Sequence, residues 1–346
     1  MSALLEVADL HVTFPARRRR PPARAIDGVD LQVGRGEIVA LVGESGCGKS
    51  TLARVLVGLV RPTAGEIRHD GQPLGYRSSA LKAHRRSVQL ILQDPSSALN
   101  PRQTVFDAVA EGPRLHRMRS GLHERVLDSL SRAGLRPPEQ FLARYPFELS
   151  GGQQQRVVIA SALALEPAAL VADEPVASLD ASVRGEILAL ILRLRAELGL
   201  SALVISHDLG LAWNIADRVA VMYLGRIVEQ GSVDEVLVHP RHPYTRALVA
   251  AAPDAGRAGP PPAIAGEPPD PTAIPGGCRF HPRCPRRAEL AARGIDVGVC
   301  RGSDVPLAPI GAVQVACHFA EAEEGAAAGA TAPPALTTRP APTSSG

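Results

Sequence analysis

What the sequence lacks narrows it first. No stretch approaches the about 18 consecutive apolar residues that a membrane-crossing helix needs, and the opening MSALLEVADLHVTF has no basic start followed by an apolar block. The chain is therefore expected to be cytoplasmic and not anchored by itself. Cysteine is sparse, at Cys47, Cys278, Cys284, Cys300 and Cys317. Without an export signal, metal binding or reduced thiols are the expected use of these residues rather than a disulfide framework. Neither charge sign dominates: the formal net charge is +3, which names no partner. Lysine is nearly absent, occurring only at Lys49 and Lys82, with arginine serving elsewhere. At 346 residues, 45% hydrophobic and 21% charged, the chain has the composition of a soluble globular protein of about two domains. A single small disulfide-stapled module is excluded.

Proline marks the main change of character, because about half of the 31 prolines follow residue 250. The run from Asp254 to Pro275 cannot hold a helix or a sheet ladder, since proline fixes φ and removes the amide donor. It reads as a linker or extended strap. The final stretch has little to bury and reads as a disordered tail. Before residue 250, short β-branched runs alternate with longer helical patterns, which is the pattern of an α/β domain with a largely parallel sheet. Strands are expected at Ile38 to Val42, Ala169 to Ala172 and Ala202 to Ser206, and a helix over Val183 to Leu198. A hairpin is expected from Val219 to Tyr223 through Leu224 and Gly225 to Arg226 to Gln230. The basic run Arg17 to Arg20 lies near prolines and reads as a solvated loop insertion, with a nucleic-acid or lipid-headgroup contact as the alternative.

Directly after IVALV comes GESGCGKST, which fits G-x-x-x-x-G-K-[ST] and runs into the helical LARVLVGL. Glycines at 43, 46 and 48 let the backbone wrap a polyphosphate, with amides and a helix N-terminus pointing at its charge. The loop comprises Gly43, Glu44, Ser45, Gly46, Cys47, Gly48, Lys49, Ser50 and Thr51. Lys49 would reach the β- and γ-phosphates, and Ser50 would offer its hydroxyl to Mg²⁺. In AALVADEP an apolar strand ends in Asp173 and Glu174. Asp173 would hold Mg²⁺, and Glu174 would act as general base toward water.

LSGGQQQR, Leu149 to Arg156, resembles the signature motif of ABC transporter ATPases, and its neighbours follow in that family's order. Gln93 in LILQDP resembles the Q-loop, Ala177 to Asp180 with Ser178 the D-loop, and His207 in VISHD the switch histidine. The resemblance implies a P-loop ABC ATPase fold, with a RecA-like core, an antiparallel β subdomain, a helical subdomain and a small cysteine-containing extension. It implies that Ser150, Gly151, Gly152 and Gln153 face nucleotide held by a partner cassette, and that Ser50, Gln93 and Asp173 hold Mg²⁺. Phe14 is the candidate for the aromatic on adenine, with a core position as the alternative. Leu92, where phenylalanine is usual, and Ser161, where arginine is common, are departures that remove no chemical group.

Toward the C-terminus, HPYTRALVAAAP, GEPP and GCRFHPRCP resemble the extension of oligopeptide and dipeptide importer ATPases, and GESGCGKST with DEPVASLD resembles their F-type subunit. The resemblance implies ATP hydrolysis coupled to peptide import at the cytoplasmic face of the membrane. It also implies two permease subunits, an extracellular solute-binding protein acting indirectly and a second ATPase, a D-type heterodimer partner or a second copy, with no nucleic acid. Nickel or another small solute as cargo, and a soluble non-transport ABC ATPase, are the alternatives. Cys278, Cys284, Cys300 and Cys317 are spaced C-x5-C-x15-C-x16-C, which matches neither zinc pairs nor the ferredoxin run. The resemblance implies a [4Fe–4S] cluster there, with Zn²⁺, aided by His281 or His318, and metal-free thiols as alternatives. The expected organisation is a nucleotide-binding domain over 1–253, a strap and cysteine-cluster extension over 254–320, and a disordered tail over 321–346.

Overall fold

The computed structural model describes residues 3–16, 21–252, 264, 266, 267 and 270–320. The Arg17 to Arg20 run, much of the expected strap and the expected tail lie outside the described residues. Strands β1 (Ala3–Phe14), β2 (Ala23–Gly34), β4 (Ala64–His69) and β5 (Gln72–Pro73) form an antiparallel sheet in the order β2-β1-β4-β5. The second sheet has eight strands in the order β11-β12-β10-β9-β3-β8-β7-β6. Its parallel part comprises β3 (Ile38–Val42), β6 (Val88–Ile91), β7 (Ala169–Asp173), β8 (Ser201–Ser206) and β9 (Arg218–Tyr223). The remaining strands, β10 (Arg226–Ser232), β11 (Ala308–Ile310) and β12 (Val313–Val315), join antiparallel at one side.

The central strands are apolar throughout because both faces are covered. In β3, Ile38, Ala40 and Val42 point into one hydrophobic core, while Val39 and Leu41 point into the other. The first core lies under the helices Val105–Leu115, Leu122–Arg132, Gly151–Leu163 and Ala181–Leu198. The second holds the small sheet and the helix Lys49–Leu56.

The expected strands and hairpin agree with those observed to within one or two residues at each end, and the long helix begins at Ala181 rather than Val183. The cysteine-bearing segment has no core of its own. Phe280, Ile310, Val313, Val315 and Ala320 join the first core, and β12 pairs with β10 through Glu229 with Val315 and Gln230 with Gln314.

Candidate active site

Strands β3, β8, β7 and β6 are neighbours and parallel, so their carboxyl ends open on one edge, where open α/β sheets receive ligands. From β3 the chain enters the loop Gly43 to Gly48 and then the helix Lys49–Leu56. Two of its glycines are required by the backbone: a Cβ on Gly43 (φ 153°) would strike the Met222 carbonyl, and one on Gly48 (φ 112°) the Ala25 carbonyl. The Gly46 side of the loop is open, with no heavy atom within 4 Å of a Cβ placed there. Ser45, Gly46 and Ser50 are exposed, Glu44, Gly48 and Thr51 are half-buried, and Cys47 is buried, which pushes its thiol up.

Lys49 is buried, and its Nζ donates to the carbonyls of Gly43 at 2.7 Å and Glu44 at 2.9 Å. Ser50 Oγ donates to Asp173 Oδ1 at 3.1 Å, linking the helix start to the end of β7. Burial holds the Asp173 carboxyl above the usual carboxylate range, against the Ser50 hydrogen bond. These two oxygens are the hard donors that Mg²⁺ prefers. The next residue, Glu174, adopts φ 50°, a left-handed conformation that costs a non-glycine residue energy and concentrates at functional sites. Its amide donates to the Ile205 carbonyl at 2.9 Å, and its Oε2 lies 3.0 Å from His207 Nδ1. A small cavity lined by Glu174, Ala177, Arg184, Ser206 and His207 opens beside this pair.

Gln93 is exposed just beyond β6, and Phe14 is 42% exposed at the end of β1 rather than in the core. The signature residues lie elsewhere on the surface of the fold. Ser150 caps the helix Gly151–Leu163: its Oγ accepts from the Gln153 amide at 3.3 Å, and Gln153 Oε1 accepts from the Ser150 amide at 3.0 Å. Gly151 and Gly152 lie against Leu179 and Val183, so the signature packs on the segment carrying Ser178 and Asp180, both exposed. The structure thus gathers the phosphate loop, Asp173, Glu174 and His207 at one edge and pairs the signature with the D-loop segment.

Two contacts to the loop escaped the sequence reading. Tyr244 Oη accepts from the Glu44 amide at 2.8 Å, and Arg283 donates to both Glu44 carboxylate oxygens at 2.7 and 2.9 Å. Cys278, Cys284, Cys300 and Cys317 line one cavity, together with His242, Phe280, Arg286 and Arg287. Burial pushes their thiols up, Cys278 to about 12 and Cys317 to about 11. Among the described residues, no group of three or more His, Cys, Asp or Glu side chains is gathered to hold a metal ion. His281 Nδ1 lies 2.9 Å from the Cys278 carbonyl and His318 Nε2 3.1 Å from the Ser303 carbonyl, so each ring has a nitrogen engaged by the backbone.

The fold and this edge define a P-loop ATPase built as an ATP-binding cassette. Comparison with known proteins agrees: residues 26–177 match the ABC transporter family, and residues 228–289 match the oligopeptide/dipeptide transporter C-terminal region. The chain is 43% identical to the probable peptide ABC transporter ATP-binding protein y4tS of Sinorhizobium fredii, over 91% of this chain and 90% of that one. It is 44% identical to the oligopeptide transport ATP-binding protein OppF of Escherichia coli, over 82% of this chain and 88% of that one. It is 40% identical to the dipeptide transport ATP-binding protein DppF of the same organism, over 93% and 96%. Among solved structures it is similar to cbiO1 of Clostridium perfringens, part of the ABC transporter complex cbiONQ, with a TM-score of 0.61 and 30% identity over 69% of this chain and 92% of that one. The chain belongs to the ABC transporter ATP-binding proteins of the oligopeptide/dipeptide transporter family.

Proposed function

We propose that the chain hydrolyses ATP to ADP and phosphate as the energising subunit of an importer for oligopeptides or dipeptides. The observation that carries this reading is the alignment, along one sheet edge, of Lys49, the Ser50–Asp173 pair and the Glu174–His207 pair. The loop amides and the helix start cradle the phosphates, and Lys49 exchanges its two carbonyl partners for the β- and γ-phosphates. Ser50, Gln93 and Asp173 would hold Mg²⁺, which when bound neutralises charge on the β- and γ-oxygens. Glu174 takes a proton from the attacking water, and His207 orients that carboxylate and contacts the γ-phosphate. Phe14, exposed at its strand end, stacks on adenine.

The exposed N-terminus of the signature helix supports a second anion site, at Ser150, Gly151, Gly152 and Gln153, facing nucleotide on a second cassette docked head to tail. Ser178 and Asp180 belong to that interface. The F-type names of OppF and DppF support a D-type partner, and the importer role implies two permease subunits, a solute-binding protein and a place at the cytoplasmic face of the membrane. We read 1–253 as the cassette, 254–320 as its extension and 321–346 as a tail.

For the four cysteines we propose a [4Fe–4S] cluster with a structural role. What supports it is their shared cavity, with Arg286 and Arg287 beside it to balance thiolate charge. A cluster accepts thiolates spread more widely than a single zinc ion does. The function is tested by uptake of labelled dipeptide into vesicles carrying the permeases and both ATPases. Wild-type chain restores uptake and Lys49→Ala does not; uptake unchanged by Lys49→Ala overturns the reading.

A further inference from the structure

The extension and the helix Pro243–Ala251 before it hold the phosphate loop from two sides, and Tyr244 and Arg283 meet Glu44 from 200 positions or more away in sequence. On one side Arg283 forms a two-pronged ion pair with Glu44. The Arg283 side chain is only 7% exposed and that of Glu44 21%, so solvent weakens the pair less than it would a surface contact. The Glu44 amide is meanwhile committed to Tyr244 Oη. Tyr244, Tyr223 and Phe280 pack ring against ring, with centroids 4.6 to 5.4 Å apart, and place Arg283 next to the loop. On the other side, buried Arg279 donates to the Leu224 carbonyl and pairs with Asp27. Gly225, the next residue in that turn, donates its amide to the Cys47 carbonyl at 2.8 Å. Glu44 and Cys47, the two ends of the four residues between Gly43 and Gly48, are therefore fixed by contacts that run to the short segment between Cys278 and Cys284.

Neither arginine would touch nucleotide, since Arg283 is spent on Glu44 and Arg279 on the Leu224 carbonyl and the Asp27 carboxylate. What they fix is the path of the backbone whose amides must point at the phosphates, an arrangement that costs affinity when it is left to form on binding. We propose that Arg283 and Tyr244 are positioning residues for nucleotide binding, through which the cysteine-bearing segment sets the affinity of the phosphate loop. This rests on the loop being the ATP site.

The test is titration calorimetry of the purified full chain with MgADP, alongside steady-state ATPase kinetics. Arg283→Met weakens MgADP about 10-fold, the scale expected for loss of a partly buried charge-assisted pair, and raises KM more than it lowers kcat. Arg283→Lys recovers part of the loss. Glu44→Gln weakens binding similarly, and the double variant is no weaker than either single one, because both remove the same interaction. Tyr244→Phe keeps the ring and removes only the hydroxyl, so it carries the test if Arg283→Met fails to fold; it weakens MgADP about 3-fold. Wild-type affinity in Arg283→Met and Tyr244→Phe, while Lys49→Ala binds nothing, overturns the clamp. Wild-type affinity in Lys49→Ala overturns the nucleotide site itself, and the clamp with it.

Discussion

His207 Nδ1 lies 3.0 Å from Glu174 Oε2, across the carboxyl ends of two adjacent parallel strands. The contact holds the carboxylate beside a cavity that reaches both residues, and in the proposed function this carboxylate takes the proton of the attacking water. Replacing Glu174 by Gln keeps the shape and removes the base. Turnover is expected to fall by about 100-fold or more with MgADP affinity unchanged, measured by phosphate release and calorimetry. Retained hydrolysis would remove Glu174 from the role of base.

His207→Ala leaves that carboxylate in place but unpartnered. The expected result is turnover reduced about 10- to 100-fold with a smaller rise in KM, because in the proposed role the histidine mainly orients the carboxylate and adds a single contact to the γ-phosphate. A rise in KM alone would move His207 to ground-state binding.

Gly48→Ala is predicted to weaken nucleotide binding about 5- to 150-fold while the fold survives. The new methyl group meets the Ala25 carbonyl at a φ of 112°, so the loop must shift out of register with the phosphates, at a cost of roughly 1–3 kcal/mol. Unaltered MgADP affinity in the folded variant would sink this prediction.

Two buried groups near the end of the cassette titrate in opposite senses. Burial lifts Glu229 to about 7 and drives His242 down to about 3. Glu229 ionises later in the folded chain than in the unfolded one, so its contribution is full below about 4.5 and is lost as pH rises through about 7. That of His242 is full above about 6.5 and is lost as pH falls through about 3. Between about 4.5 and 6.5 the two slopes oppose each other. Glu229→Gln should leave only the histidine slope, so the variant gains stability relative to wild type as pH rises from 5 to 7, on the order of 2 kcal/mol. Thermal midpoints of both proteins at the two pH values check this, and parallel curves would refute it.

Anaerobic purification is expected to yield about four irons per chain and a broad visible absorption, both lost in Cys284→Ser. Stoichiometric zinc or no metal would exclude the cluster and leave the ATPase untouched. Because burial keeps the thiols protonated, loading releases protons and weakens at lower pH.

The chemistry of the site was legible because it is local. Gly43 to Thr51, Asp173 with Glu174, and His207 each sit where an apolar strand ends, and the strand and its last polar residue are neighbours in sequence. The apolar run of β3 could be read directly, since burial on both faces leaves no alternation to interpret. The antiparallel sheet was harder: β1 and β2 pair through several register shifts that blur a period of two. What lay beyond reach was the hold of the extension on the loop. Arg283 and Tyr244 carry no sign in their own surroundings that they meet Glu44, because that meeting depends on the whole sheet being assembled first.

The short β11–β12 hairpin has a practical bearing on any shortened version of the chain. Unpaired strands offer ready-made templates for other chains, and β10, with its apolar Ile227 and Val228, would become such a template if the chain were cut after residue 253. In the intact protein β12 covers it and β11 lies outermost among the described strands, with Pro309 at its centre presenting no amide to a newcomer. A fragment ending at the cassette boundary should therefore self-associate and precipitate, whereas one that runs through Ala320 should stay dispersed.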